Sequence, residues 1–363
     1  MRMKKKVIVA MSGGVDSSTT AALLKEQGYD VSGITMQLWD YAEEESGCCS
    51  LNDVLDARQA ANQIGIEHTV VDYKEDFQKY VVKDFIEKYY HGQTPNPCIM
   101  CNEYMKFNFL LNKSLEMGAD FLATGHYAKI SQNNEGTFFL EKGLDKFKDQ
   151  SYFLFTLSQK ELSRLMFPLG SFTKPEVRKI SEGFELSVST KKDSQDVCFI
   201  AKDYRTFIEK NVPDSKPKKG LIKDLSGKVL GSHLGIHNFT IGQRKKLKIN
   251  SKNSSSVPLY VIDIDFKKNE VLVGTQKDLY ASALYANNLN WSIDPKTINK
   301  KKIMVKIRYR SPESLAEVNF VNDRVSVVFD EPQRSITPGQ AIVFYQDDKV
   351  LGGGWIDEVS RNN

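Results

Sequence analysis

The chain has 363 residues, 40% hydrophobic and 26% charged, with a formal net charge of +4, which is enough for two or three domains of ordinary globular composition. No apolar run approaches the ~18 residues of a membrane span. The Lys-rich N-terminus reads neither as a signal peptide nor as a transit peptide, so the expected compartment is the cytoplasm, with no membrane partner. Five cysteines (Cys48, Cys49, Cys98, Cys101, Cys198) in a chain of this size do not make a structural disulfide framework.

Residues 6–11 form a short β-branched run that reads as a buried strand, and 17–27 read as a helix. Between them lies the first chemical signal, Ser12-Gly13-Gly14-Val15-Asp16-Ser17. Gly13 and Gly14 admit positive φ and close backbone approach to a ligand. Amides turned inward at a helix N-terminus make an anion site, and Ser12 and Ser17 can add hydroxyl donors. Asp16 is a carboxylate beside that site, expected either to hold Mg²⁺ or to cap the helix. The loop lacks the lysine of a Walker A sequence and does not fit G-x-G-x-x-G.

Strands are expected at 31–38, 67–72 and 121–124, with helical spacing over 52–64 and 74–90. This βαβα order predicts a doubly wound parallel sheet with helices on both faces. Ligands of such sheets bind beyond the carboxyl ends of the strands, where the 12–17 loop sits. Within "GQTPNPCIMCNEYMKF" (92–107), Cys98 and Cys101 are spaced for a metal, a cluster or redox exchange. Cys198 falls at a turn in "SQDVCFI" (194–200). Three cysteines without a fourth ligand argue against structural zinc.

The pattern changes after residue 204. "PDSKPKKG" (213–220) reads as a linker, and "NSKNSSS" (250–256) as a loop. Short alternating segments at 259–263, 270–274, 303–309, 325–329 and 341–345, separated by Gly, Asn, Asp and Pro, predict small antiparallel barrel-like domains. Net charge is −5 over residues 1–204, +9 over 205–252 and zero beyond. A basic segment beside an acidic domain points to a polyanion larger than a nucleotide. The expected fold is α/β: a catalytic parallel-sheet domain over 1–204, a small basic domain over 205–275 and an antiparallel β-barrel over 276–363.

"SGGVDSS" (12–18) resembles the PP-loop of the ATP pyrophosphatases, which adenylate a substrate oxygen and release pyrophosphate. Adding "TGHYA" (124–128), "KDQSYFL" (148–154), "SQDVCFI" (194–200), "TIGQRK" (240–245), "VKIRYR" (305–310) and "TPGQA" (337–341), most of the chain resembles the bacterial tRNA-specific 2-thiouridylases. The resemblance implies ATP-dependent 2-thiolation of the wobble uridine (position 34) in tRNAs of the Lys, Glu and Gln type. It implies ATP, with Mg²⁺, on Ala10, Met11, Ser12, Gly13, Gly14, Val15, Asp16 and Ser17, and on Met36 and Gly125. Cys101 matches the family's nucleophile and Cys198 its persulfide carrier, and the two can close to a disulfide. Asn96, Pro97 and Cys98 would face the target base. Lys148, Asp149, Gln150, His126, Arg308, Tyr309 and Gln340 would touch tRNA. A persulfide donor or relay protein would load Cys198, and the enzyme would act as a monomer.

One departure opens a second chemistry. Many members have "PNPDxxCN" where this chain has "PNPCIMCN", so a third cysteine, Cys98, replaces a carboxylate. Cys98, Cys101 and Cys198 could then ligate a [4Fe–4S] cluster with one open iron. Two other readings compete with thiolation. Another PP-loop ligase, such as a GMP synthetase, would need a glutaminase set that the chain does not display; an idle RNA-binding protein would not need the loop and both cysteines.

The basic segment yields a measurable expectation. Neutralising Lys216, Lys218, Lys219, Arg244, Lys245 and Lys246 should weaken tRNA binding and lower the slope of log affinity against log salt. The slope should fall by about 0.7–0.9 for each phosphate that is no longer neutralised. An unchanged slope in filter binding would make the segment a bystander surface.

Overall fold

The structure is a computed structural model describing residues 4–39, 51–193, 197–200, 203–211, 219–247, 249 and 257–361. Cys48, Cys49, Lys216, Lys218 and the 250–256 loop lie outside the described residues. The chain divides into two compact units, one of residues 1–81, 97–202 and 347–350, the other of 82–96, 203–346 and 351–363. Residues 82–96, expected in the first domain, therefore pack with the second unit.

In the first unit, β1 (Lys6–Ala10), α1 (Val15–Glu26), β2 (Asp30–Gln37), α2 (Leu51–Ile64) and β3 (Glu67–Asp72) follow the expected order. The helical stretch 74–90 is not one helix. It runs as α3 (Lys74–Phe77), a wider π turn (Gln78–Val82) and α4 (Lys83–Tyr90). A second helical run comprises α5 (Pro97–Met100), a π segment (Cys101–Leu110) and α6 (Leu111–Glu116). Then come β4 (Phe121–Ala123), the hairpin β5 (Ala128–Gln132) and β6 (Phe138–Lys142), α7 (Gln159–Leu162), β7 (Leu165–Met166) and α8 (Lys174–Gly183).

The sheet order is β3-β2-β1-β4-β7, with every pairing parallel. Strand order reverses between β1 and β4, so the loops leaving their carboxyl ends flank the crevice where doubly wound sheets bind ligands. The strands there are apolar on both faces, as Val7, Ile8 and Val9 of β1 are fully buried. Helix α1 covers the sheet and is buried from Val15 to Leu24 apart from Asp16. Ala57, Ala60 and Ala61 of α2 belong to the same core, their small side chains permitting close approach.

The second unit begins its later part with α9 (Tyr204–Asn211) and holds two sheets. The smaller has β8 (Lys219–Asp224), β9 (Val229–Leu234), β10 (Tyr260–Asp265) and β11 (Glu270–Gly274) in the order β10-β11-β8-β9. It is mixed rather than wholly antiparallel, because β11 lies parallel to β8. The larger contains β12 (Tyr280–Trp291), β13 (Lys301–Lys306), β14 (Ser314–Val321), β15 (Arg324–Arg334), β16 (Ala341–Gln346) and β17 (Lys349–Ser360). Its order β12-β15-β14-β13-β16-β17 closes through β17 pairing back to β12, making the expected barrel. Alternation supplies its interior, with Val305, Val318, Val327 and Phe344 in the core. Among the described residues no helix is long and apolar enough to cross a membrane.

Leu24 is fully buried among Val7, Val9, Ala21 and Ala60. Leu24→Ala should cost the first unit about 2–5 kcal/mol, read as a lower urea midpoint for its transition. A loss below about 1 kcal/mol would contradict this core assignment.

Candidate active site

The loop after β1 turns through one left-handed residue. Gly13 has φ +71°, and a Cβ there would collide with the Asp53 carbonyl oxygen, so a side chain does not fit. Gly14, expected to need the same freedom, is extended at φ −96° and forms the helix N-cap. Ser17 Oγ closes the loop by accepting the Ser12 N–H at 3.1 Å and donating to the Gly14 carbonyl at 3.1 Å. Across the crevice, a Cβ on Gly125 would meet the backbone of Asp16 and Ser17 at 2.9 Å, so the β4 loop presses directly onto the start of α1.

Asp16 departs from both expectations. It makes no capping bond at the start of α1. Both carboxylate oxygens accept from Lys174 Nζ at 2.8 Å, and Oδ1 also accepts the Tyr127 hydroxyl at 2.7 Å. Burial and the Asp16 charge push the Tyr127 phenol upward, so it remains a proton donor. Lys174 also pairs with Asp193 at 2.8 Å, and Asp193 in turn holds Lys148 and Arg178. Although burial opposes it, the Lys148 and Lys174 ammonium groups keep Asp193 below the usual carboxylate range. A carboxylate beside an anion cradle is thus neutralised by a cation rather than left open for Mg²⁺. Among the described residues no three His, Cys, Asp or Glu side chains gather as a metal-ligand group.

A cavity of about 380 Å³ opens above the loop. Ala10, Met11, Ser12, Asp16, Ser17, Met36 and Gly125 line it, as do Pro97, Cys98, Cys101, His126, Gln150 and Cys198. The loop and the three cysteines therefore share one chamber. Gly13, Gly14 and Val15 shape the loop without forming the wall, and Val15 is buried in the core. Cys98 and Cys101 are three residues apart on one helical run, hence neighbours on the same face one turn apart. Cys198 is followed by Phe199, which is buried against Phe77 and Trp39 with ring centroids at 5.6 and 5.9 Å. That aromatic anchor fixes the turn carrying the thiol.

Several residues expected to touch RNA are engaged otherwise. His126 is buried between Phe107 and Phe167, with Nδ1 at 2.6 Å from the Thr124 hydroxyl and Nε2 at 3.4 Å from Lys106 Nζ. Desolvation, then the Lys106 charge, drives its pKa well below the ordinary value, so it is neutral. Buried in this way, it serves as chamber wall. Asp149 is buried and accepts from the Gly143 and Ser151 amides, which leaves its carboxylate no access to RNA. Gln150 accepts the Tyr127 N–H. Asn96 is buried within the second unit rather than lining the chamber. Also in that unit, Gln340 donates to the Thr94 and Pro95 carbonyls, Arg308 donates to the Arg334 carbonyl, and Tyr309 lies under Lys306 Nζ.

Residues that the motifs did not single out complete the site. Lys106 and Asn102 line the chamber and bond each other at 2.9 Å. Lys191 Nζ reaches the Gly13 carbonyl at 3.0 Å and pairs with Asp53 and Asp56. Their hydrogen bonds outweigh burial and hold Lys191 above its ordinary value. Lys174 did leave a trace in the sequence. Thr173 and Glu176 form a capping box, which puts Lys174 at the first position of α8, the end of the helix dipole that disfavours a cation.

Three protein-family models match successive parts of the chain: "tRNA methyl transferase HUP domain" over 5–202, "tRNA methyl transferase PRC-barrel domain" over 205–275 and "Aminomethyltransferase beta-barrel domain" over 281–356. The chain is 48% identical to the tRNA-specific 2-thiouridylase MnmA of Geobacter metallireducens, covering 98% of both chains. It is 46% identical to the protein of the same name from Halothermothrix orenii, over 97% of this chain and 99% of that one. A solved U34-tRNA thiolase NcsA from Methanococcus maripaludis is 22% identical over 58% of this chain and 65% of its own, at a TM-score of 0.36, too low to carry an argument.

The Asp16–Lys174 pair makes a separable prediction. Lys174→Met leaves an uncompensated carboxylate at the anion cradle, so stabilisation of the protein by ATP or pyrophosphate should fall at least tenfold in apparent affinity, about 1.4 kcal/mol. Asp16→Asn combined with Lys174→Met should recover part of the lost thermal stability. Additive effects in this double-mutant cycle would show that the two side chains do not act as a pair.

Proposed function

We propose that this chain, which belongs to the tRNA-specific 2-thiouridylase family, replaces the C2 oxygen of a tRNA wobble uridine by sulfur at the expense of ATP. The observation that carries the reading is the shared chamber, where an anion-binding loop and Cys98, Cys101 and Cys198 face one volume. The C2 oxygen of uridine is a poor leaving group. Its attack on the α-phosphorus of ATP, with pyrophosphate leaving into the 12–17 loop, would turn it into the leaving oxygen of AMP. Amides of that loop, with the Ser12 hydroxyl, supply the donors that stabilise departing charge, and the Ser17 hydroxyl holds the loop closed. Met36 and Gly125, which also line the chamber, would contact adenosine.

In the sulfur step, the terminal sulfur of a persulfide on Cys198 attacks C2 and expels AMP, leaving a Cys198–S–S–C2 adduct. The Cys101 thiolate then attacks the Cys198 sulfur. A Cys101–Cys198 disulfide forms, and its electron pair leaves with the sulfur bound to C2, which becomes the thiocarbonyl. An external dithiol, itself oxidised to a disulfide, reduces Cys101–Cys198 back to two thiols, and a persulfide donor passes its outer sulfur to Cys198 and is left as a thiol. Lys106 puts a cation in the wall of the chamber that holds these sulfurs and favours their thiolates, while neutral His126 adds no charge. The target base must leave its stack to enter, since an A-form stem hides its edges. Exposed Arg244, Lys245 and Lys246 suit contacts to phosphates. The cytoplasm, where tRNA is found, is the fitting compartment.

Mass spectrometry of tRNA nucleosides tests the scheme. Cys101→Ser and Cys198→Ser should each abolish 2-thiouridine formation, while Cys98→Asp retains it. Ser17→Ala, which removes the hydroxyl that closes the anion loop, should abolish AMP release and spare tRNA binding. An anaerobic preparation with about four irons per chain, lost together with thiolation on Cys98→Ala, would overturn the persulfide route.

A further inference from the structure

Residues 143–151 of the first unit form a loop whose base is held by two buried carboxylates. Asp145 Oδ1 accepts the Phe147 N–H at 2.9 Å and the Lys148 N–H at 3.2 Å, and its Oδ2 accepts the Lys174 N–H at 2.9 Å. Asp149 Oδ1 accepts the Gly143 N–H at 2.9 Å and the Ser151 N–H at 3.2 Å, and its Oδ2 accepts the Ser151 hydroxyl at 2.9 Å. The Leu144 N–H donates to the Gly170 carbonyl and the Gln150 N–H to the Tyr127 carbonyl, both at 2.9 Å. Burying two carboxylates is costly unless their oxygens are bonded in this way. The chain thus invests heavily in one loop conformation.

At the tip of this loop stands Phe147, 95% exposed, with exposed Lys146 on one side and half-buried Lys148 on the other. A phenyl ring left in water forgoes the largest apolar gain available to the segment. Gln150, three residues on, lines the catalytic chamber. Three residues span at most about 11 Å, so the ring stands beside the chamber.

We propose that Phe147 is a stacking platform for an unpaired nucleobase of the RNA substrate, adjacent to the base that enters the chamber. The proposal rests on the thiolation reading and extends it to how the RNA is positioned. A flat ring on a preformed loop matches the face of any base, and ordering it in advance lowers the cost of binding. Exposed Lys146 suits a phosphate beside that base, Lys148 being paired with Asp193, and both aspartates of the loop are turned inward to amides. A protein partner would need several hundred Å² of contiguous apolar surface, whereas this tip offers one ring and a half-exposed Leu144.

The test compares wild type, Phe147→Ala, Phe147→Leu, Phe147→Tyr and Phe147→Trp in tRNA binding and thiolation. Because the ring is exposed, all variants should keep the wild-type melting temperature and ATP affinity. Phe147→Ala and Phe147→Leu should each raise the tRNA Kd and KM about tenfold, Phe147→Tyr should restore both, and tRNA should quench the added Trp emission of Phe147→Trp. Wild-type Kd in the alanine variant, or full activity in the leucine variant, overturns the proposal. So does a change confined to self-association in sedimentation, which would assign the ring to a second copy of the chain. If the wild-type protein thiolates no tRNA, the enzymatic reading falls instead. Binding and Trp quenching would still decide the stacking role.

Discussion

A loop built to receive phosphate has to dispose of any negative charge it carries itself, and the first unit is organised around that requirement. Asp16 sits at the start of α1 and would repel the anion that the loop amides attract. Lys174 and Tyr127 answer it directly, and Asp193 ties Lys174 to Lys148 and Arg178. This chain of charges links the loop after β1, the beginning of α8 and the loop that carries Phe147. Each of those segments is distant in sequence, and each is held in register by the same few ionic contacts. Because the groups are partly buried and mutually bonded, salt screens them less than it would an exposed pair.

The sulfur chemistry is placed by packing instead. Cys98 and Cys101 share a helical run, and their relative position follows from helix geometry alone. Cys198 lies on an irregular turn, and Phe199, wedged between Phe77 and Trp39, gives that turn its fixed place. Ionic contacts therefore fix the 12–17 loop side of the chamber, and aromatic contacts fix the turn that carries Cys198.

Much of this was legible in the residues. The strand at 67–72 lies where the βαβα order put it and that at 270–274 where alternation did, and the 12–17 loop and the cysteines meet in one chamber. What was not legible depends on contacts between distant segments. Whether His126 offers a ring face or is walled in depends on Phe107 and Phe167, and whether Asp149 faces outward depends on the Gly143 and Ser151 amides. Gly14 looked like a second left-handed glycine, yet Gly13 alone makes the turn because the Asp53 carbonyl crowds that position. Lys174 carries no phosphate-loop motif, and its meaning lies in a partner 158 residues away. The breaks in the 74–90 helix have no Pro or Gly to announce them.

Helix α1 is an unusual carrier for a binding loop, because it has almost no solvent face. Ser17, Ser18, Thr19 and Thr20 are buried along with its apolar residues, and Thr19 and Thr20 return their hydroxyls to carbonyls one turn back, at 2.7 and 2.8 Å. A helix enclosed on all sides cannot fray or open by itself, so its amides exchange with solvent hydrogen mainly when the whole unit unfolds. The loop grafted onto its first turn inherits that persistence. Binding sites are ordinarily drawn from the more pliable parts of a fold, whereas here the phosphate cradle opens a helix buried along most of its length, so adaptation to the RNA is expected of the segments around it.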